Sequence, residues 1–449
     1  MIFRNSMHFA FRFCFFARTQ VQWRLMLAGL LALLLSPAVK AQSQPSTLSE
    51  VVDKYKIKAS VGLQLWSTYG YGMEVINEDG QAIPAEARFN AQLRRSRFSL
   101  KGNPYSTLSF KVTAALDLVG HDVLSSTEAG GNNGSSPIFR IWNAFVQWQA
   151  KPKNDRLYLV GGYFVSPIGR ESNVAALAST SFEKAWSQNY LRRHLTGIGP
   201  GRAMGLMVAG QLHGEGNQRH LTYELALQNP LFTGLAGNSS GLASSPLLTT
   251  RFAFQLGDPE QKSYKPGKKV NYFGQRKGIT LGLAAARQGS TDLFKHNTAY
   301  GLDWLANTNN WHLDGELYHL KRSGRESDNR ELETAGYSGY LRLGHNIALP
   351  RSLSLEPVVS YWFYRGATDL SGIESANQLG AFSGADSGLD IGANLYFNPT
   401  TKLSLFFALR RGDSGEGSPE LVNNNYFRQP GVGLVERGSY VGLGWVGVF

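Results

Sequence analysis

His194, His213, His296, His312 and His319 are available for proton transfer, but none of them falls within a recognisable nucleophile motif. His312, Asp314 and Glu316 alternate at a spacing that places all three on one face of an extended chain, a pattern open to metal ligation. The same alternation describes a solvated wall of charged side chains. Read in that way, the sequence calls for no catalysis, no metal and no cofactor. The more extensive constellation is basic. Lys58, Arg95, Arg97, Lys101, Lys111, Arg251 and Arg342 recur at period-two positions, and Arg170, Arg192 and Arg193 cluster in one long polar segment. Guanidinium and ammonium groups arrayed on one wall attract anions by their summed field.

These side chains need strands to position them. From Lys56 to Trp66 the chain alternates, with Ile57, Ala59, Val61, Leu63 and Leu65 on one face and Lys56, Lys58, Ser60, Gly62 and Gln64 on the other. The stretch from Leu108 to Leu118 does the same and is long enough to cross a bilayer at a tilt, which takes about 9–11 residues. Continuing this reading gives about sixteen strands, with short connections such as Gly102–Tyr105, Lys151–Asp155, Asn307–Asn310 and Asn398–Thr401 alternating with longer polar ones. Asp258–Gln275 is the exception, a long connection in a short-turn position. The expected fold is all-β: a transmembrane antiparallel barrel over residues 55–449, with short periplasmic turns and longer extracellular loops. The segment near 166–201 is expected to fold inward, being too polar for a core and too long for an incidental loop.

Composition agrees. Glycine is abundant, 50 of 449 residues, and aromatics make up 12%. Trp66, Tyr163, Trp304, Trp311, Tyr361, Phe363, Phe397, Phe407, Trp445 and Phe449 lie near expected strand ends, as an interfacial girdle requires. The longest apolar run, Leu25–Leu35, follows Arg24 and leads to Val39-Lys40-Ala41, a signal peptide over residues 1–41 with a short periplasmic segment, 42–54, after it. Its removal takes five of 45 basic residues and none of the 33 acidic ones, lowering the formal charge from +12 to +7 and weakening any nucleic-acid reading. The single cysteine, Cys14, lies in the removed part. Disulfides and thiol chemistry are thereby excluded from the mature chain.

Parity also places Lys56, Lys402 and Arg410 on the inner wall, and Asp117, Glu224, Asp303, Asp314, Glu316, Glu356 and Asp390 with them. So many charges imply that water reaches the interior. Basic residues come mainly from the first three strands and acidic ones from the tenth to the fourteenth, which sets a field across the lumen. At the chain end, Val441, Leu443, Trp445 and Phe449 share one face, and this resembles the C-terminal strand of outer-membrane barrels that the membrane assembly machinery reads.

Three runs carry a family resemblance: Phe145-Val146-Gln147-Trp148; Leu157 through Gly161-Gly162-Tyr163-Phe164-Val165-Ser166-Pro167-Ile168-Gly169; and Arg202-Ala203-Met204-Gly205. Together with Arg95 to Gly102, they resemble the phosphate-selective porin O and P family. The resemblance implies an outer-membrane porin, a homotrimer, passing small anionic or polar solutes passively through the lipid bilayer with a mild preference for anions such as phosphate. The acidic wall residues depart from a purely cationic path. A non-conducting structural or adhesin-type barrel is the alternative.

Overall fold

The structure is a computed structural model that describes residues 48–449, apart from 78, 80, 123, 128–137, 215–217, 232–240, 326–329, 413–425 and 430–432. The expected signal segment lies outside the described residues. A short helix, α1 (Leu48–Lys54), comes first among the described residues. Sixteen long strands follow: β1 (Lys58–Tyr71), β2 (Arg88–Tyr105), β3 (Leu108–Leu116), β4 (Phe139–Gln149), β5 (Tyr158–Val165), β6 (Arg202–His213), β7 (Arg219–Asn229) and β8 (Leu247–Gly257) form the first half. The second half is β9 (Gly278–Gln288), β10 (His296–Thr308), β11 (Trp311–Arg325), β12 (Glu331–His345), β13 (Ser354–Arg365), β14 (Ala385–Asn398), β15 (Thr401–Gly412) and β16 (Ser439–Val448).

Each strand pairs antiparallel with its sequence neighbours, and β16 closes on β1 in the register Gly62↔Val448 to Tyr71↔Ser439. The result is a closed sixteen-stranded transmembrane barrel with no free sheet edge. Strand β8 shows how the sequence builds it. Leu247, Thr249, Arg251, Ala253 and Gln255 are buried inside, whereas Leu248, Phe252, Phe254 and Leu256 point outward and are exposed. An apolar outer face on every side of a closed barrel is suited to hydrocarbon, which asks nothing of it but van der Waals contact.

Several strands run further than apolar alternation suggests. β11 continues to Arg325 and β1 to Tyr71, because hairpins keep pairing above the apolar band where their side chains turn polar. Met73–Ile76 and Ala82–Ala85 form a small separate sheet with Tyr426–Gln429 and Gly433–Glu436. Two expectations fail locally. Leu118, expected on the outer face, leaves the strand at φ +63° and is buried. Trp66, expected in the girdle, faces inward and stacks on Phe182 with ring centroids 4.4 Å apart, because even-numbered positions of β1 face the lumen. Outward aromatics do include Trp311, Tyr361, Phe397, Phe407 and Phe449.

Candidate functional site

The lumen is occupied by the connection from β5 to β6. Gly169, at φ +85°, turns the chain off the barrel wall, and a Cβ there would press to 2.6 Å from Leu191. A single turn, α2 (Arg170–Asn173), and a longer helix, α3 (Ser187–Thr196), follow, with α3 ended by Gly197 in the left-handed region. The segment is held by charge. Arg342 on β12 makes a bidentate pair with Asp314 (3.1 and 2.7 Å) and a second with Glu171 (3.1 and 2.9 Å), and also donates to Ser181 at 2.9 Å. Glu171 makes two further contacts: Oε1 accepts from the Ala185 amide of the same segment at 2.8 Å, and its own amide donates to Glu316 on β11 at 3.0 Å.

A second segment, residues 258–277, enters from the opposite mouth. This is the long connection that breaks the short-turn pattern, and it does not stay at the rim. Tyr264 donates to Glu224 at 3.1 Å, the Asn307 amide group donates to the Val270 carbonyl at 3.1 Å, and Asn271 donates to Glu356 at 2.7 Å. The two inward segments meet. Arg170, fully buried, grips Glu260 with two bonds of 3.1 and 2.7 Å while its Nε donates to Asp303 at 3.1 Å. The Lys268 amide donates to the Asn173 carbonyl at 3.0 Å. Burial opposes ionisation of Glu260, but Arg170 overrides it and holds the carboxyl at about 2.

The sequence-derived cations divide into two groups. Arg95 pairs with Glu183, Arg97 with Asp117, Arg170 with Glu260 and Asp303, Arg251 with Asp303 at 2.8 Å, and Arg342 with Asp314 and Glu171. These are buried and matched, contrary to the expectation that water reaches the wall charges. Pairing, rather than hydration, offsets their desolvation. Glu356 shows the same solution without a cation of fixed charge, accepting from Asn271, His312, Asn394 and Tyr396 at 2.7 to 2.8 Å. His312 therefore turns to Glu356, and Glu316 to the Glu171 amide, rather than converging with Asp314.

The second group has no carboxylate within ion-pair distance among the described residues. Lys58 and Lys101 are register partners, as are Lys101 and Lys111, so three lysines lie side by side across β1, β2 and β3. Lys58 and Lys101 are exposed and Lys111 is half-buried. Arg192 donates to the Ser172 carbonyl at 2.7 Å, its Nε buried without a hydrogen-bond partner, whereas Arg193 is exposed. Burial, opposed by Glu171, brings the Arg192 guanidinium down to about 10. Lys184 is held against the Val174 carbonyl at 2.8 Å, and burial pushes its ammonium well below the ordinary range.

Sequence parity missed Arg94. A bulge opposite Gln64 and Leu65 turns both Arg94 and Arg95 inward, where both meet Glu183. Burial works against the charge on Glu183, but this arginine pair carries its carboxyl below the usual range. The only sequence signal for it was the consecutive pair of arginines. Arg410 was placed on the inner wall by parity, but its setting was not foreseen. Its guanidinium lies over Trp186 at 4.4 Å and near Trp362 at 5.6 Å, with Arg437 over the same indole at 4.9 Å.

Two solved structures share this architecture. The outer membrane channel DcaP of Acinetobacter baumannii aligns with a TM-score of 0.51 at 12% identity, over 88% of this chain and 97% of its own. OmpF of Salmonella typhi, solved in complex with daunomycin, aligns with a TM-score of 0.51 at 12% identity, over 88% of this chain and 98% of its own. No protein-family model matches the sequence, and no curated protein matches it. Fold and site together define a class: a transmembrane β-barrel of the outer-membrane type, its lumen filled by two inward segments and lined by paired and unpaired charge.

Proposed function

We propose that this chain is an outer-membrane porin that lets small hydrophilic solutes diffuse passively, with a mild preference for anions such as phosphate. The observation that carries this reading is the row Lys58, Lys101 and Lys111, which faces the lumen with no acidic partner among the described residues, while Asp303 on β10 and Asp314 on β11 are matched by arginines. The matched charges cancel, which weakens the transverse field expected from sequence and leaves the lysine row as a positive patch on β1–β3. Membership of the phosphate-selective O and P family, the trimer, and reading of Val441, Leu443, Trp445 and Phe449 by the assembly machinery belong to the same proposal. They rest on the sequence runs quoted above.

The test is the reversal potential of the purified protein in a planar bilayer under a potassium chloride gradient. Anion selectivity that falls when Lys101 is replaced by Gln supports the reading; cation selectivity overturns it. The filled lumen favours one second reading, a non-conducting structural barrel. A folded, heat-modifiable protein that carries no current would establish that alternative.

A further inference from the structure

Near its end, the inward segment 258–277 borders a cavity of about 320 Å³ together with the connections β10–β11, β12–β13 and β14–β15. That volume falls within the range of small-molecule sites, about 300–1,000 Å³. The polar side chains on its wall are all uncharged: Asn310, Asn346, Asn398, Ser352 and Ser354, with Tyr396 beside them. Phe273, Leu349, Leu353 and Pro399 supply an apolar side. The wall is held from behind. Asn346 and Asn271 exchange hydrogen bonds at 2.9 and 3.0 Å, and Asn271 and the Tyr396 hydroxyl donate to Glu356 at 2.7 and 2.8 Å. The Phe273 ring stands edge-on to Tyr396, with centroids 4.9 Å apart. In front, the side chains of Asn310, Ser352 and Ser354 have no hydrogen-bond partner among the described residues. Phe273 (φ +52°) and Ser352 (φ +60°) on this wall, and Asn309 (φ +48°) and Arg351 (φ +62°) next to it, lie in the left-handed region, a conformation that persists only where the surroundings hold it.

We infer that this cavity binds a neutral sugar of monosaccharide size at the short-turn mouth of the barrel. A pyranose carries hydroxyls around its edge, each both donor and acceptor, and a C–H face above and below. The amides and hydroxyls of Asn310, Asn398, Ser352 and Ser354 can donate to and accept from the first, and the Phe273 ring offers an apolar surface to the second. An anion finds no cation on this wall. The site is therefore chemically distinct from the Lys58, Lys101 and Lys111 row, and it goes beyond the proposed anion preference without depending on it.

Saturation-transfer NMR of the purified barrel with glucose, in a detergent without a sugar headgroup, tests it without requiring conduction, so a silent channel would sink the porin reading and leave this one standing. Glucose is expected to bind, and N310A to weaken it by about threefold to tenfold, the usual weight of one hydrogen bond. F273A should weaken it by about tenfold through loss of the apolar face, whereas K101Q on the lysine row should leave it unchanged. Glucuronate, whose carboxylate has no partner on the wall, should bind about threefold or more weakly than glucose. Absence of saturation transfer to glucose, or binding that N310A and F273A both leave unchanged, overturns the site. Glucuronate binding as tight as glucose overturns it too, since the lumen cations would then be the binding groups. If F273A does not fold, N310A and S352A, both in exposed turns, decide the matter.

Discussion

Replacing Glu260 by Gln is expected to separate the two segments that meet in the lumen. The carboxyl of Glu260 lies at about 2 against an ordinary value of 4.5, which at about 1.4 kcal/mol per pH unit corresponds to about 3 kcal/mol of added stability for the docked arrangement at neutral pH. Because the docked value is the lower one, that stability is complete above about pH 4.5 and is lost as pH falls towards 2. Glu260→Gln removes it at every pH and leaves the buried Arg170 with Asp303 alone. A shift of about 3 kcal/mol changes the ratio of docked to undocked molecules by roughly 150-fold. Hydrogen exchange reads this directly at the Lys268 amide, which donates to the Asn173 carbonyl. Its exchange should accelerate below pH 4.5 in the unaltered protein, after correction for intrinsic rates, and should be fast and free of that inflection in the variant. Protection at pH 7 that Glu260→Gln leaves intact would refute the reasoning, since the clamp would then not depend on this charge.

Lys101→Gln is expected to lower the anion-to-cation permeability ratio by about twofold to fivefold, from roughly 0.4–1 kcal/mol of field per charge in an aqueous lumen, as read from the reversal potential. Phe182→Ala should destabilise the barrel by about 3 kcal/mol, seen as a lower unfolding temperature, because the ring packs on Trp66, Phe406 and Tyr440. Gly442→Val should cost a comparable amount by a different route, since a Cβ there would stand 2.5 Å from the Phe182 ring. Phe449→Ser should reduce the yield of heat-modifiable protein in the membrane while leaving the refolded barrel about as stable, since Phe449 is exposed and, among the described residues, stacks on Trp445 alone.

The barrel was legible because its period-two pattern survives in nearly every strand, and the closing strand carries it to Phe449. Lumen parity was legible for the same reason. Parity fails where one residue is inserted, which is why Arg94 escaped notice, and it cannot say whether an inward charge meets water or a partner. Arg342 and Lys101 look alike in sequence. One is closed off by Glu171 from a loop 171 residues away in sequence, and the other has only lysines beside it. Asp258–Gln275 stood out as too long for its turn position. Its inward path depends on Arg170–Glu260 and Asn271–Glu356, pairings between distant positions that no local pattern encodes.

Phe182 touches both edges of the barrel's closing seam. It stacks on Trp66 of β1 and lies over Gly442 and Gly444 of β16, while Leu177 from the same segment lies against Gly62. The glycine pair opens a recess that fits the ring at one alignment of β16 against β1 only. A slip of two residues preserves inside and outside but brings Tyr440 or Val446 beneath the ring, where there is no room. The segment that narrows the lumen therefore also acts as an internal gauge: seated against the seam, it fits one register of the first and last strands and disfavours others that hydrophobicity alone would accept.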